Sequence, residues 1–186
     1  RALISYKQEH DGLNFRLVQN AQCEDADITV FTREQFQIPA DTREQYAVFK
    51  ERIFLAVPCD FPDIPTESVR LRDFAHQDFI SLSGSRSIRA ICDRYCMEAG
   101  FVPHIIYESD SPDTVKNLIA GGLGIGFWPH YTWGMDSMEQ IRLLPIAEPT
   151  CQRALILQLH SHAREQAAVC SFFAFLSRYL RQLKHQ

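Results

Sequence analysis

The sequence predicts an α/β fold with a mostly parallel sheet, arranged as two lobes. Short β-branched segments alternate with segments whose apolar residues recur every three or four positions, which is the pattern of a βαβαβ chain. Two proline-bearing stretches, 57–65 and 145–149, bracket the middle of the chain and indicate crossings between lobes. With 186 residues, 46% of them hydrophobic, the chain is long enough to bury a substantial core.

We expect residues 1–57 and 146–186 to form lobe I, and residues 61–144 to form lobe II as an insertion within it. Two strands that pass between lobes make a hinge, and clefts between lobes are common sites for small ligands. The predicted organisation therefore favours a ligand-binding protein.

Lobe I begins directly in a helical pattern, because Ala2, Leu3 and Tyr6 follow Arg1 without a capping residue. We therefore expect a further segment before Arg1. Strands are predicted at 15–18 and 28–31, yet a parallel pair needs a dozen or more residues between its strands. Either the two strands form an antiparallel hairpin, or residues are missing near Gln22 and Cys23, and we favour the second interpretation.

The rest of lobe I is predicted from apolar runs and turn residues. A polar loop at 32–43 precedes strands at 46–50 and 52–57, and a later strand is predicted at 154–159. A long amphipathic helix, with apolar residues spaced through 169–183, ends the chain.

Lobe II begins with a predicted strand at 78–82, followed by a helix whose apolar residues recur between Ile88 and Cys96. After a strand at 104–107, the run Ser111-Pro112-Asp113 is typical of a helix start, with a capping serine and a proline in the first turn. Glycines at 121–122 end that helix, and strands are predicted at 125–128 and 141–144.

The composition excludes several classes of function. The net charge is −4 and the pI is about 6.0, so this chain offers no basic surface for DNA. No apolar run approaches the roughly 20 residues that cross a bilayer, so we expect no membrane association. The six cysteines are scattered and no signal peptide is present, which indicates free thiols in the cytoplasm. Cys92 and Cys96 lie four residues apart, on one helix face, where core packing is the main interpretation and a redox switch the alternative.

One segment has the pattern of an anion site. Residues 83–87 (Ser-Gly-Ser-Arg-Ser) lie between a predicted strand and a helix start, where free backbone N–H groups attract anions. An ordinary helix cap is the competing interpretation. Residues 109–111 (Ser-Asp-Ser) precede the next helix and should lie at the same sheet edge, because open α/β sheets bind ligands at the carboxyl ends of their strands.

No catalytic or metal-binding pattern is present. Residues 121–126 run from helix into strand, the reverse of a dinucleotide-binding turn, so helix capping and close packing explain their glycines. The serines at 83–87 lack a nucleophile elbow, and the seven histidines show no metal-ligand spacing. We therefore predict that the chain is not an enzyme and that it uses no cofactor.

Several blocks together resemble the effector-binding domain of LysR-type bacterial transcriptional regulators. The acidic strand is Asp25-Ala26-Asp27-Ile28-Thr29-Val30. The other blocks are Ser83-Gly84-Ser85 before a helix, Gly100-Phe101-Val102-Pro103, Glu108-Ser109, and the glycine-rich run from Ile119 to Pro129. The resemblance covers most of the chain, and its glycine-rich block is fairly specific in combination with the others.

The resemblance implies a two-lobed fold like that of periplasmic binding proteins, with a small-molecule effector in the cleft and no chemistry performed on it. DNA would be bound only through an N-terminal winged helix-turn-helix that is absent from this chain. A homodimer or homotetramer is implied, with residues 2–8 packed against residues 88–97 of a partner. The effector-contacting residues implied by the resemblance are Thr32, Ser83, Gly84, Ser85, Arg86, Ser109 and Trp128.

Hydroxyls and helix starts favour a small anion as effector, such as a carboxylate or an inorganic oxyanion, while Trp128 and Phe31 leave room for an aromatic acid. Two alternatives stay open at this point. The chain could be a thiol-based redox sensor acting through Cys92 or Cys96, or a free-standing solute-binding protein of similar fold.

Overall fold

The chain divides into two compact units in a computed structural model that describes residues 2–18, 23–62, 67–83, 87–134 and 139–183. The described residues of unit 1 lie within 1–31, 36–49 and 155–186, and those of unit 2 lie within 32–35 and 50–154. Three of the unit boundaries, after residues 31, 49 and 154, fall inside strands. Pro145, in the proline-bearing stretch 145–149, is paired within a strand of unit 2. The division into lobe I and lobe II stays a prediction.

Thirteen helices and strands are described, together with three short 3-10 turns. The helices are α1 (Ala2–Glu9), α2 (Ser87–Glu98), α3 (Pro112–Ala120), α4 (His130–Trp133) and α5 (Ala167–Leu183). The strands are β1 (Ile28–Arg33), β2 (Tyr46–Pro58), β3 (Val69–Arg70), β4 (Asp78–Leu82), β5 (His104–Ser109), β6 (Gly126–Pro129), β7 (Ile141–Glu148) and β8 (Gln152–Leu159). The strands and helices predicted for lobe II are confirmed, with small shifts at their ends.

Three predictions for lobe I are wrong. Residues 13–18 form no strand, because the ring of Phe15 packs against Phe172 of α5 at 4.9 Å between centroids. The antiparallel hairpin is therefore wrong as well. The break predicted near Gln22 or Cys23 adjoins residues 19–22, which lie outside the described part of the chain, so it stays a prediction. The strands predicted at 46–50 and 52–57 are one continuous strand, β2.

The sheets are mixed, which corrects the expectation of mostly parallel sheets. In unit 2, β2 pairs antiparallel with β6 on one side and with β7 on the other, and β7 pairs parallel with β3. In unit 1, β8 lies between β1 and β2. The parallel pair β4 and β5 forms a separate small sheet, as the βαβ pattern predicted.

The glycine-rich run before β6 lets two backbones approach closely. A Cβ atom on Gly126 would lie 2.8 Å from the carbonyl oxygen of Ile80 in β4, and one on Gly124 would lie 2.8 Å from that of Asp78. The chain can therefore run beside β4, where Ile80 N donates to Ile125 O at 2.8 Å. Gly122, with φ of +74°, follows the end of α3. These contacts confirm that the glycines serve capping and packing.

A buried ion pair lies in unit 2, on strands β2 and β8. Glu51 is fully buried and Arg153 is 6% exposed, and Arg153 Nε donates to Glu51 Oε2 at 2.6 Å. The other oxygen, Oε1, accepts from Tyr131 N at 2.8 Å, from Thr132 N at 2.7 Å and from the Thr132 hydroxyl at 3.0 Å. Arg153 Nη2 also donates to that hydroxyl at 2.8 Å. The carboxylate thus holds the start of α4 in place.

Each unit has its own apolar core. In unit 1, Phe49 and Leu157 pack with Leu176 of α5, while Tyr6 of α1 stacks among aromatic rings and donates from its hydroxyl to Ser171 Oγ at 2.9 Å. In unit 2 the core extends from Ile53 to Cys151 and includes the inward faces of α2 and α3. Among the described residues, no helix is long and apolar enough to cross a membrane.

Candidate functional site

The carboxyl ends of β4 and β5 bring two predicted site residues together. Ser83 directly follows β4 and Ser109 is the last residue of β5, and Ser83 N donates to Ser109 O at 2.9 Å. Helices α2 and α3 begin just beyond these strand ends. The sheet edge therefore carries serine side chains beside two helix starts, which is where parallel α/β sheets bind ligands.

The start of α3 has the predicted cap. Ser111 Oγ accepts from Thr114 N at 3.4 Å, with Pro112 in the first turn. Ser111 N in turn donates to Ser109 Oγ at 3.1 Å. The Ser109 hydroxyl is thereby fixed in orientation, while its remaining hydrogen-bonding capacity is available at the sheet edge.

Thr32 lies in β1 and meets α2 rather than Ser83. Its Oγ1 is 2.8 Å from Oγ of Ser87, the first residue of α2, and either hydroxyl can donate. The structure thus brings Ser87 into contact with one of the predicted site residues, Thr32. Ser87 stands in the same serine-rich segment that the sequence analysis singled out, but spacing alone did not separate it from the other hydroxyls. Gly84, Ser85 and Arg86 lie outside the described residues.

Trp128 is packed inside unit 2. Its side chain is 1% exposed, and its indole N–H donates to Gly134 O at 2.9 Å. The ammonium of Lys116 lies 5.4 Å from the centroid of the Trp128 ring and 5.7 Å from that of Trp133. The Trp128 ring is therefore buried in the core of unit 2, and its indole donor is already used.

Arg89, in the first turn of α2, carries a positive charge near the sheet edge. Its Nε donates to Asp93 at 2.6 Å and its Nη1 pairs with Glu108 of β5. Burial alone would lower the pKa of the Arg89 guanidinium, but the hydrogen bonds with Asp93 and Glu108 outweigh it and raise that pKa. Arg89 is therefore a permanent cation that two carboxylates already neutralise.

The interior behind the sheet edge is closely packed. A cavity of about 10 Å³, enough for about one water molecule, is lined by Ser81, Arg89 and Trp133 among others. This cavity is too small for a metabolite, so a metabolite that contacts Ser83 and Ser109 would lie on the surface of the sheet edge.

A larger open groove of about 760 Å³ lies in another part of unit 2. Its lining mixes basic residues with acidic ones, and Arg70 pairs with Asp73 at 3.2 Å. None of the predicted site residues lines it.

The buried thiols are poorly suited to redox chemistry. Cys92 and Cys96 are 4% and 0% exposed, which confirms their role in core packing, and all six cysteines are free. Burial raises the pKa of Cys96 to about 12 and that of Cys92 well above its ordinary value. Since the thiolate is the reactive species, neither cysteine is activated at neutral pH.

No group of three or more metal-ligating side chains occurs within the described ranges. His160 and His162 stack at 5.8 Å between ring centroids and contact Thr29 and Asp27, respectively. These contacts give both rings a structural role at the end of β8.

Comparison with known proteins connects this geometry to a family. The family model described as LysR substrate binding domain matches residues 1–181. An uncharacterized HTH-type transcriptional regulator of Bacillus subtilis, YybE, is 27% identical over 157 residues, which cover 81% of this chain and 53% of that protein. The chain thus spans about half the length of the curated relatives that it matches.

Solved structures show the same fold at low sequence identity. The regulatory domain of Synechocystis CcmR, in complex with 2-PG, superposes with a TM-score of 0.74 at 15% identity. The superposition covers 96% of this chain and 88% of the CcmR chain. The effector-binding domain of QuiR, in complex with shikimate, gives a TM-score of 0.64 at 19% identity and covers 86% and 74% of the two chains.

The fold agrees with the periplasmic-binding-protein-like fold predicted from the resemblance, and the family match extends along nearly the whole sequence. Domains of this family bind effectors and perform no chemistry on them, as the sequence analysis expected for this chain. The chain therefore belongs to the LysR substrate-binding domain family, as an effector-binding domain and not an enzyme.

Proposed function

We propose that this domain senses a small anionic metabolite for a bacterial transcription regulator and changes DNA binding by an attached N-terminal helix-turn-helix. The single observation that carries the proposal is the hydroxyl-rich edge of unit 2. There the Thr32 and Ser87 hydroxyls meet at 2.8 Å, and Ser83 and Ser109 stand at adjacent strand ends beside two helix starts.

Hydroxyls and helix starts are suited to the oxygen atoms of an anion. The first turns of α2 and α3 present backbone N–H groups and the positive ends of the helix dipoles. Thr32, Ser83 and Ser109 supply hydroxyl groups that can donate to a carboxylate or an oxyanion. Gly84, Ser85 and Arg86 complete the proposed set, with Trp128 as packing beneath it. The shikimate complex of QuiR supports a hydroxylated carboxylate as one class of effector.

The proposed mechanism is a population shift. An effector that binds one conformation of the domain more tightly stabilises that conformation, and a coupling of about 1–3 kcal/mol is typical of such systems. A shift of this size changes the equilibrium between DNA-binding states by roughly 5- to 150-fold.

We propose that the domain forms homodimers or homotetramers, with α1 packed against α2 of a partner. Ile4 of α1 is 65% exposed and Met97 of α2 is 59% exposed, so both helices carry apolar side chains that a partner would cover. The six free thiols support a reducing compartment, the cytoplasm. Ile4→Glu and Met97→Glu should each lower the mass found by sedimentation, whereas a monomeric wild type would contradict the assembly.

A thermal-shift screen tests the binding function. The compounds are shikimate, malonate, benzoate, phosphate and sulfate, applied to wild type, Thr32→Ala and Ser83→Ala. A ligand at 100 times its Kd stabilises the folded state by about 2.7 kcal/mol, which raises Tm by roughly 5–10 °C for a chain of this length. The exposed Ser161→Ala variant in unit 1 is the matched control.

We expect at least one carboxylate to raise the Tm of wild type and of Ser161→Ala, and to do so less in the two site variants. A shift that survives both Thr32→Ala and Ser83→Ala would place the binding site elsewhere. Turnover of a stabilising compound would contradict a purely sensory role.

A further inference from the structure

Residues 32–35, here called the strap, are packed with unit 2 although the residues on either side of them belong to unit 1. Two side-chain contacts join the strap to α2. Thr32 meets Ser87 at the first residue of the helix, and Glu34 Oε2 lies 2.8 Å from Nε of Arg94, two helical turns further on. The strap therefore contacts one helix at two points, through a hydrogen bond at Thr32 and through an ion pair at Glu34 that lacks hydrogen-bond geometry at Arg94 Nε.

A contact with Tyr95 holds the Arg94 side chain in position independently of Glu34. Its guanidinium carbon lies 4.6 Å from the centroid of the Tyr95 ring. Glu98 Oε2 lies 3.3 Å from Arg94 Nη1, but Glu98 is 52% exposed and such an i,i+4 pair contributes little. Tyr95 is itself fixed, because its hydroxyl donates to Gln152 O at 2.7 Å and accepts from Gln152 N at 3.1 Å. The ion pair with Glu34 thus costs less side-chain entropy than a pair between two mobile surface residues.

We propose that Glu34 and Arg94 are positioning residues for the effector site, because their ion pair seats the strap on α2 and so holds the Thr32 hydroxyl at Ser87. The inference rests on the proposed function in one respect only, namely that Thr32 contacts the effector. The seating of the strap itself is independent of any ligand.

The proposal predicts that the Glu34–Arg94 ion pair and the Thr32–Ser87 hydrogen bond are energetically coupled. If the ion pair orients the strap, then the Thr32–Ser87 hydrogen bond forms fully only while the pair is intact. Removing the Ser87 hydroxyl should therefore matter in the wild type and matter much less once Arg94 has been replaced. Two independent anchors would instead give effects that multiply.

Tryptic cleavage after Arg33 measures how often the strap opens. Arg33 lies within the strap and its side chain is exposed. When opening is fast relative to cleavage, the cleavage rate follows the population of the open form. The variants Ser87→Ala, Arg94→Met and the double variant all change α2 and leave the strap sequence intact, so the intrinsic susceptibility of the cleaved bond stays constant.

Three control variants and one reference cleavage site accompany this double-mutant cycle. Glu98→Gln removes the other carboxylate from the same Arg94 and leaves Glu34 in place. Arg94→Lys keeps the positive charge, and Ser87→Thr keeps the hydroxyl. The rate of cleavage after Arg164, in unit 1, corrects for general loss of stability.

We expect Arg94→Met and Ser87→Ala each to accelerate cleavage after Arg33 by about two- to fivefold, the range for a partly exposed pair. The double variant should be cleaved at about the rate of Arg94→Met alone, and Arg94→Lys and Glu98→Gln should behave like wild type. The proposal is overturned if Arg94→Met is cleaved no faster than Glu98→Gln, or if the two single effects multiply in the double variant.

These measurements contain no effector, so they distinguish the two proposals. A thermal-shift screen without a hit counts against the proposed function and leaves the cleavage result as it stands. A strap that opens no more often in Arg94→Met refutes the positioning role while the effector site can still bind its ligand.

Discussion

Replacing Glu51 by glutamine should destabilise unit 2 strongly. The Glu51 carboxylate is fully buried, accepts three hydrogen bonds at Oε1 and pairs with Arg153 at 2.6 Å through Oε2. Glutamine keeps an acceptor for the start of α4 but turns an amide N–H₂ group towards Arg153, which leaves a buried cation without its counter-charge. Breaking a buried pair in this way costs about 3–5 kcal/mol. That is a large part of the roughly 5–15 kcal/mol by which a folded domain is stable.

Urea unfolding followed by tryptophan fluorescence measures this cost. The only two tryptophans in the sequence, Trp128 and Trp133, both belong to unit 2, so their emission reports on that unit alone. With a denaturant slope of about 1–3 kcal/mol per molar urea, the midpoint should fall by at least about 1 M. Asp73→Asn, which breaks the exposed pair with Arg70, is the control and should cost less than about 1 kcal/mol.

The double variant Glu51→Gln/Arg153→Met tests the physical reason. Removing both charges leaves no unpaired ion, so this variant should be more stable than the sum of the two single effects predicts, by about 2 kcal/mol or more. Additive losses would show that the two charges do not compensate each other. A midpoint of Glu51→Gln equal to that of wild type would refute the role of the pair altogether.

Four further predictions concern the cysteines, the glycine-rich run and a helix cap. Burial raises the pKa of Cys96 from 9.0 to about 12. Between pH 9 and pH 12 the thiol therefore ionises in the unfolded chain but not in the folded one, and the free energy of unfolding falls as pH rises. Cys96→Ala should reduce that slope by up to about 1.4 kcal/mol per pH unit in urea titrations at several pH values, and an unchanged slope would contradict it. A disulfide reagent at pH 7 should modify exposed Cys59 and spare Cys96, as peptide mass mapping would show. Gly126→Ala should cost about 1–3 kcal/mol in the same urea assay, because the new Cβ would lie 2.8 Å from Ile80 O. Ser111→Ala should cost about 1 kcal/mol through loss of the α3 cap, and an unchanged midpoint would show that the cap contributes nothing.

Local signals predicted much of unit 2. The Ser111-Pro112 start of α3 and the apolar spacing of α2 depend on neighbouring residues only, and both helices form where the sequence indicates. The glycines at 121–126 follow a helix instead of preceding one, which indicates capping and packing. Their close approach to β4 agrees with that interpretation.

Apolar composition alone was a poor guide in unit 1. Residues 15–18 have the composition of a strand, yet Phe15 packs against Phe172 of the last helix, and no strand forms. A short apolar run fits a strand and an aromatic packing contact equally well. Which of the two forms depends on the residues that the folded chain brings next to the run. The same limitation applies to Trp128, whose position in the glycine-rich block does not reveal that its ring is buried.

The sequence by itself determined the α/β class, the absence of catalytic patterns and the serine-rich strand ends, because capping, periodicity and turn chemistry act over a few neighbouring residues. Only the tertiary structure decided which distant side chains meet. Thr32 and Ser87 are 55 residues apart, and Glu51 and Arg153 are 102 residues apart. Such contacts depend on strand register and on the packing of whole elements, so nothing in the residues next to Glu51 distinguishes a buried, paired carboxylate from an exposed one.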